Sequence, residues 1–483
     1  MGLLVADVLR HGARYTPHRL AATLGDDELT FGTLDEQTNR IAHTLFGMGV
    51  DHGDRVAWWG DTALEAVPIF FALAKLGAVF APVNARLGPD EAAEVLGYAR
   101  PRVVVVDDEH ADVVQEIDAP VATHAHLADA ATRASGTDID APAPDERDPH
   151  VIFFTSGSTG RPKGVVLSHR TSCLRSFPPL AADTDGGTVC MFPLFHMAGW
   201  SLALGCWQSR RPIHFVLAPD AETLLHTAER RRATRIYLIP AVWSRVLDHG
   251  VKGYDLSSLN EADTGTSATP PELIAAVRDA LPHTVTRVFY GSTEAGPGTV
   301  LAHVDLARKP GSVGLPQPGV DVRLEDGEVC ITSELLMDGY FDQPDATADA
   351  LRDGWYHTGD LGSLDDEGYL SIVGRARDVI RTGGETVAPS EVEAALVTHP
   401  AVREVAVVGL PDHQWGEVVC AVVVPQPGAH DAVDLDELRS HSAGALAGFK
   451  QPRRLEMVDE LPRTPATGQV QRPLLVERIG RGG

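Results

Sequence analysis

Residues Thr155-Ser156-Gly157-Ser158-Thr159-Gly160-Arg161-Pro162-Lys163-Gly164 follow the apolar run Val151-Ile152-Phe153-Phe154, so a strand feeds a loop of small and hydroxylated residues. Glycines let a backbone approach a ligand closely, hydroxyls and backbone N–H groups reach phosphate oxygens, and Lys163 supplies a cation. Such a loop suits the handling of a polyphosphate, although composition alone describes a flexible Gly/Ser connection equally well. It is not the P-loop, because G-x-x-x-x-G-K-[ST] is absent. Two later strings end in carboxylates: Tyr290-Gly291-Ser292-Thr293-Glu294 and Trp355-Tyr356-His357-Thr358-Gly359-Asp360. Taken singly, Glu294 reads as a solvated loop carboxylate and Gly359-Asp360 as a turn.

Three further segments follow in chain order: Gly374-Arg375-Ala376-Arg377-Asp378, Gly383-Gly384-Glu385, and Leu461 to Gly468. Together the strings resemble the motifs of the adenylate-forming superfamily (acyl- and aryl-CoA synthetases, luciferases, adenylation domains of peptide synthetases), and acyl-CoA ligases most. The resemblance spans essentially the whole chain. It implies activation of an acid by ATP to an acyl-AMP, with pyrophosphate leaving, then transfer to coenzyme A. ATP, Mg²⁺ and coenzyme A are therefore expected. Such chemistry needs positioning and stabilisation of developing negative charge more than covalent help.

Residue by residue, the resemblance assigns Thr155, Ser156, Gly157, Ser158, Thr159, Gly160 and Lys163 to the phosphates. Tyr290 and Gly291 fall at the adenine, Thr293 at the α-phosphate, and Glu294 on Mg²⁺, a hard cation that prefers carboxylate and water oxygens. Asp360 would accept from both ribose hydroxyls, and Arg375 would contact ribose or phosphate, the alternative being a surface ion pair. Arg377 matches the pivot between two domains, and Gly384 a position beside the pantetheine channel or a simple turn glycine. On the acid side, Pro193 to Trp200 matches a substrate-lining motif. The Asp that holds an α-ammonium in amino-acid-activating relatives is replaced by His196, which argues against an α-amino acid. His196 is expected to gate or line the pocket, or to be a hydrogen-bonded core histidine. Gly265-Thr266-Ser267 stands where Gly-Gly-Ala is more usual, and the bulkier, more polar Thr266 favours a modest or polar acid over a long alkyl chain.

One position departs. The last motif of the family ends Gly-Lys, with the lysine serving adenylation; this chain has Gly468-Gln469, with Gln471 and Arg472 nearby. Loss of such a cation compares with loss of an oxyanion donor, roughly 10²–10³ in rate. Gln469 is thus the candidate catalytic residue beside Lys163, Thr293 and His196. Three readings follow: Gln469 donates a neutral hydrogen bond while Arg472 or a metal covers the charge; the acid is unusual, as in relatives that activate nitrite and make diazo compounds; or the first half-reaction is lost. The corresponding functional alternatives are an amine or carrier acceptor and a non-catalytic AMP-binding protein.

The elements that must position these residues are legible in outline. At 483 residues the chain exceeds what one core supports, so at least two domains are expected. Leu34–Met48 and Leu64–Leu76 carry helical periodicity, and Asp54–Trp59, Gly77–Pro82 and Arg102–Asp107 read as strands, the last with four valines in a row. Residues 118–148 read as a surface connection. Short β-like runs at 320–324, 327–331 and 368–373 precede a change of grammar near residues 374–378. Beyond it, Pro389–Thr398 reads as a helix with a Ser390/Glu393 capping box, 402–410 and 418–425 as strands, and 435–446 as a helix. The expected fold is α/β: a large N-terminal domain (1–376) of parallel-type sheets covered by helices plus a β-rich subdomain, and a small mobile α+β C-terminal domain (377–483).

A net charge of −26 lacks the basic footprint of a nucleic-acid-binding surface. The five cysteines are scattered, which fits reduced thiols and a cytoplasmic location. The most apolar stretch, 66–83, contains Lys75, Pro68 and Pro82 and is too broken for a membrane span.

Overall fold

The computed structural model describes residues 2–112, 114, 117–155, 162–176, 186–383, 385–429, 432–464 and 468–481. By internal contacts the chain forms two compact units: Met1–Pro310 with Pro316–Asp321 and Thr332–Tyr356, and Gly311–Leu315 with Val322–Ile331 and His357–Gly483.

The first unit is built on two sheets. In one, Val121–Thr123, Val103–Val106, Arg55–Trp59, Val79–Val83 and Pro149–Thr155 lie side by side in parallel, and Lys163–Ser168 then returns antiparallel. All four valines of Val103–Val106 are buried, as a strand covered on both faces requires. The covering helix Ala66–Leu76 is buried on every side. Its Pro68 sits in the first turn, where backbone N–H groups have no intrahelical acceptor, and Gly77 closes it in the left-handed conformation at φ +69°. A Cβ on Gly77 would stand 2.5 Å from the His52 ring. Lys75 is tolerated there because its Nζ meets Asp35 at 2.7 Å and Asn39 at 2.6 Å.

The other sheet has six parallel strands in the spatial order Val288–Ser292, Glu261–Gly265, Arg235–Tyr237, Thr188–Cys190, Ile213–Phe215 and Leu20–Leu24, with antiparallel neighbours Gly296–Leu301 and Asp27–Thr30. In open α/β sheets of this kind, ligands sit at the carboxyl ends of the strands.

In the second unit, Trp355–Leu364 pairs antiparallel with Leu370–Arg375. A separate sheet holds Glu385–Val387, Ile380–Thr382, Gly416–Pro425 and Val402–Asp412, with Arg454–Met457 parallel to Gly416–Pro425. Alternate residues of its long strands serve two different cores: Val407, Val419, Ala421 and Val423 pack with the helix Pro389–Leu396, while Ala406, Val408, Cys420 and Val422 pack with Leu475 of Arg472–Arg481. That two-sided burial is why the strands read as unbroken valine runs.

Two expectations are corrected. Residues 118–148 contain an edge strand, Val121–Thr123, and a helix, His124–Ala131, capped by Thr123; both are too short and alanine-rich to show a period. The helix Pro389–Leu396 has no capping box: Pro389 fixes its first turn, the Ser390 hydroxyl donates to the Val373 carbonyl, and Glu393 accepts from the Val407 N–H at 2.8 Å. All five cysteines are free and buried.

Candidate active site

Thr155 ends one strand and Lys163 begins the next, paired directly across the antiparallel ladder, and the Thr155 hydroxyl donates to the Lys163 carbonyl at 3.4 Å. Ser156, Gly157, Ser158, Thr159 and Gly160, which the sequence assigns to the phosphates, lie outside the described residues, as does Gly384. The Lys163 ammonium stands over the Tyr340 ring, 4.5 Å from its centroid. The Tyr340 hydroxyl in turn donates to Glu294 Oε1 at 3.2 Å. Burial, then the Glu294 charge, raise the Tyr340 pKa, so the phenol keeps its proton and remains a donor. A cation, an aromatic donor and a carboxylate are thereby brought to one place from three separate parts of the chain.

Thr293 and Glu294 occupy the tight turn between Val288–Ser292 and Gly296–Leu301. Gly291 is demanded by that turn, since a Cβ would fall 2.2 Å from the Gly296 carbonyl oxygen. Beneath it lies a residue that carries no motif. Arg175 is buried and donates to the carbonyls of Leu335, Thr293 and Glu294, each at 2.7 Å. Burial lowers its pKa to about 10, with Glu294 and Asp338 acting the other way, and it remains charged. A guanidinium offers a fork of fixed donors, and here the fork holds the backbone on which the Glu294 carboxylate rides. Arg175 and Tyr340 are the residues contacting Glu294 or its backbone that sequence reasoning missed. A lone arginine closing the short, buried helix His169–Arg175 was the available signal.

Tyr290 is half-buried within Val288–Ser292, paired opposite Thr299. His196 caps the helix Met197–Gln208, its Nδ1 accepting the Ala198 N–H at 3.2 Å. Burial lowers its pKa to about 4, so the ring is neutral with its proton on Nε2. Gly265 ends its strand, and Thr266 follows at φ +68°, a conformation rarely adopted by a β-branched residue.

In the second unit, Asp360 and Arg375 face each other across the ladder, with Arg375 Nε 3.0 Å from Asp360 Oδ1. The Asp360 N–H donates to Thr358 Oγ1 at 3.0 Å, and Gly359 turns at φ +71° with its N–H on Glu328 at 2.9 Å. The two residues assigned to the ribose are therefore adjacent. Gln469 follows Gly468, whose carbonyl accepts from Arg463 at 2.8 Å; the Gln469 N–H donates to Thr464 Oγ1 at 3.1 Å. Arg472 is committed elsewhere: it donates to the Val407 carbonyl and to Glu393 and lies 3.6 Å from Asp378. That engagement counts against Arg472 as a substitute for the family lysine.

Among the described residues, one His/Cys/Glu group has the spacing of a metal site: Glu325, Cys330 and His357. It does not fit a metal. Burial, then Glu328 and Glu325, raise the Cys330 pKa, and His357 Nδ1 is spent on Glu328 at 3.0 Å. Glu294 fits a hard cation better, since an ionised carboxylate accepts several contacts and Tyr340 takes one of them.

Lys163, Tyr340 and Glu294 thus meet near the carboxyl ends of parallel strands in one α/β unit, and Asp360 and Arg375 pair in the other. Residues 9–341 match the family of AMP-binding enzymes and residues 391–467 the AMP-binding enzyme C-terminal domain, so the chain belongs to the AMP-binding, adenylate-forming enzyme family. It is 35% identical to a feruloyl-CoA synthase of an Amycolatopsis species, over 97% of each chain. Among solved structures it resembles ATP-bound MatB from Rhodopseudomonas palustris (29% identity, 99% of each chain, TM-score 0.89). It likewise resembles the anthranilate CoA ligase AuaEII with anthranoyl-AMP (26% identity, 99% of this chain and 98% of that one, TM-score 0.89). Among the described residues no helix is long and apolar enough to cross a membrane.

Proposed function

We propose that the protein is an acid–CoA ligase: a carboxylate oxygen attacks the α-phosphorus of ATP, pyrophosphate leaves, and the thiol of coenzyme A then displaces AMP from the acyl-AMP. The observation that carries this reading is the contact chain from Lys163 through Tyr340 to Glu294, with Lys163 paired opposite Thr155. Bound Mg²⁺ would neutralise phosphate charge. Glu294 would hold that ion, oriented by the Tyr340 hydroxyl and by Arg175 beneath its backbone. Lys163 would stabilise the charge that develops on the leaving phosphates, and Thr293 would bond the α-phosphate. Asp360 would fix the ribose hydroxyls, with Arg375 alongside. Gln469 would offer a neutral donor where an ammonium is usual, so adenylation is expected to be slow rather than absent. We divide the chain functionally at 376/377, with Arg377 as the pivot that re-presents residues 377–483 to the thioester step and Gly384 lining the thiol path. Free, buried thiols fit a reducing compartment such as the cytoplasm.

ATP–pyrophosphate exchange across a panel of acids tests the first step, and product mass with coenzyme A or an amine tests the second. Exchange with some acid, followed by a CoA thioester, is expected. Tight ATP binding with no exchange for any acid would mean a non-catalytic AMP-binding protein, and an amide product would reassign the acceptor.

A further inference from the structure

The chain is acidic overall, yet one cavity of the first unit is lined with cations. It measures about 370 Å³ and is bounded by Arg19, Arg210, Pro212, His214, Arg230 and Arg231. Four arginines around one cavity stand out in a chain of net charge −26. The volume falls within the range of small-molecule sites, about 300–1,000 Å³.

The cavity lies at the end of the sheet opposite the candidate active site. Arg19 immediately precedes Leu20–Leu24, and Arg210 and Pro212 lead into Ile213–Phe215, so these residues gather at the amino ends of two neighbouring parallel strands. Thr293 and Glu294 instead follow the carboxyl end of Val288–Ser292 in the same sheet. Cations near helix C-termini are ordinary, and Arg210 follows Met197–Gln208 while Arg230 closes Ala221–Arg230. That accounts for one cation per helix. It does not account for Arg19, which stands before a strand.

The four guanidiniums are unequally committed. Arg231 is mostly buried and donates to Glu28 and, at 2.7 Å, to the Gly25 carbonyl, which fixes the turn between Leu20–Leu24 and Asp27–Thr30. Arg230 meets Asp26 at 2.5 Å, but both side chains are exposed, and such a pair holds weakly against a competing ligand. Arg210 makes no ion pair among the described residues, and its guanidinium lies over the exposed Tyr15 ring, 5.3 Å from the centroid. Its backbone is left-handed at φ +54°, a place that glycine or asparagine ordinarily takes after a helix. His214 is buried and bonded to Thr23 at 2.9 Å, and burial, then the Arg231 charge, lower its pKa to about 4. Positive charge at the cavity therefore comes from the guanidiniums.

We infer that this cavity is a second binding site, separate from the candidate active site, for a compact phosphorylated anion held by Arg19 and Arg210, with Arg230 exchanging Asp26 for the ligand. Guanidiniums present paired donors that match phosphate oxygens, and several around one cavity suit a phosphoryl group better than a single carboxylate. The negative field of the whole chain opposes an extended polyanion or an anionic bilayer, which favours a small soluble ligand.

The probe is inorganic tripolyphosphate, titrated by calorimetry into the full-length protein without Mg²⁺ at an ionic strength of about 0.15 M. Three variants are compared: Arg210→Gly, which suits the left-handed backbone, Arg19→Gln, and Lys163→Ala as the control at the candidate active site. The wild type should bind with a Kd below about 100 μM, each arginine variant at least about tenfold more weakly, and Lys163→Ala within about threefold of the wild type. Citrate should bind at least about tenfold more weakly than tripolyphosphate. Urea midpoints of the arginine variants should match the wild type, since both side chains are exposed. Unchanged affinity in either arginine variant, loss of binding in Lys163→Ala, or no binding at all overturns the site. Citrate binding as tightly as tripolyphosphate overturns the phosphate assignment. Co-sedimentation with vesicles of phosphatidylglycerol and phosphatidylcholine that requires Arg19 and Arg210, without tripolyphosphate binding, overturns the soluble ligand in favour of a membrane. The ligase reading is untouched by each of these outcomes, because pyrophosphate exchange tests it separately.

Discussion

At the scale of single residues, the proposed adenylation is tested most sharply at position 469. Its neighbour Arg472 is held by Glu393, Asp378 and the Val407 carbonyl, so the nearest arginine cannot reach out without breaking those contacts. Gln469→Lys should therefore raise the pyrophosphate-exchange rate, by about tenfold or more if the missing donor resembles an oxyanion contact. A fall in rate would favour specialised chemistry built around the amide. Glu294→Gln makes the complementary change. It preserves shape and the Tyr340 contact but removes the charge that would hold Mg²⁺, and exchange should drop by about 10²-fold with a higher Mg²⁺ requirement. An unchanged Mg²⁺ dependence in that variant would place the ion elsewhere.

At the scale of elements, the site depends on turns whose backbones cannot move. Gly265 is the sharpest case. A Cβ there meets a backbone carbonyl at 2.3 Å, an atom that cannot swing aside as a side chain can. Gly265→Ala should destabilise the protein by about 2–3 kcal/mol, read as a lower urea midpoint with an unchanged slope. Arg175→Met should behave similarly: three carbonyls lose a charged donor, and a loss of about 2–4 kcal/mol is expected together with impaired exchange, because the turn bearing Glu294 loosens. What the sequence showed at this scale, and what it hid, follows from distance along the chain. The strings ending at Glu294 and Asp360 are contiguous, each sitting on one strand or turn, so their letters carried their geometry. Arg175 and Tyr340 reach their places by packing between elements far apart in sequence, and a lone Arg or Tyr has no local signature. Thr266 conceals its left-handed backbone because only glycine advertises that conformation. The Ser390/Glu393 pair misled for a related reason. Its letters matched a capping box, but both side chains had been taken by tertiary partners.

At the scale of the whole molecule, the balance of titrating groups sets an acid limit on stability. His150 and His169 stack at 4.7 Å inside the first unit, neither His150 ring nitrogen has a partner among the described residues, and His214 is buried on another sheet. Burial lowers the pKa of His150 well below its ordinary value and brings His169 and His214 to about 4. The unfolded chain takes up these protons near pH 6.5 and the folded protein does not, so stability is complete above that pH. It falls with decreasing pH until the folded groups titrate, near pH 4 for His169 and His214, at about 1.4 kcal/mol per pH unit for each neutral histidine. The net charge of −26 pulls the other way, since mild acid relieves self-repulsion, but that repulsion is spread over a screened surface while the histidine penalty is buried. Between pH 6.5 and 5 the urea midpoint should therefore drop steeply. His150→Leu isolates one group: it removes two unpaired nitrogens from beside Phe70, whose ring lies 4.6 Å away, and should flatten the pH slope by up to about 1.4 kcal/mol per unit. A variant with the wild-type slope would show that His150 does not resist protonation in the folded chain, and the acid limit would then have to come from the remaining buried histidines.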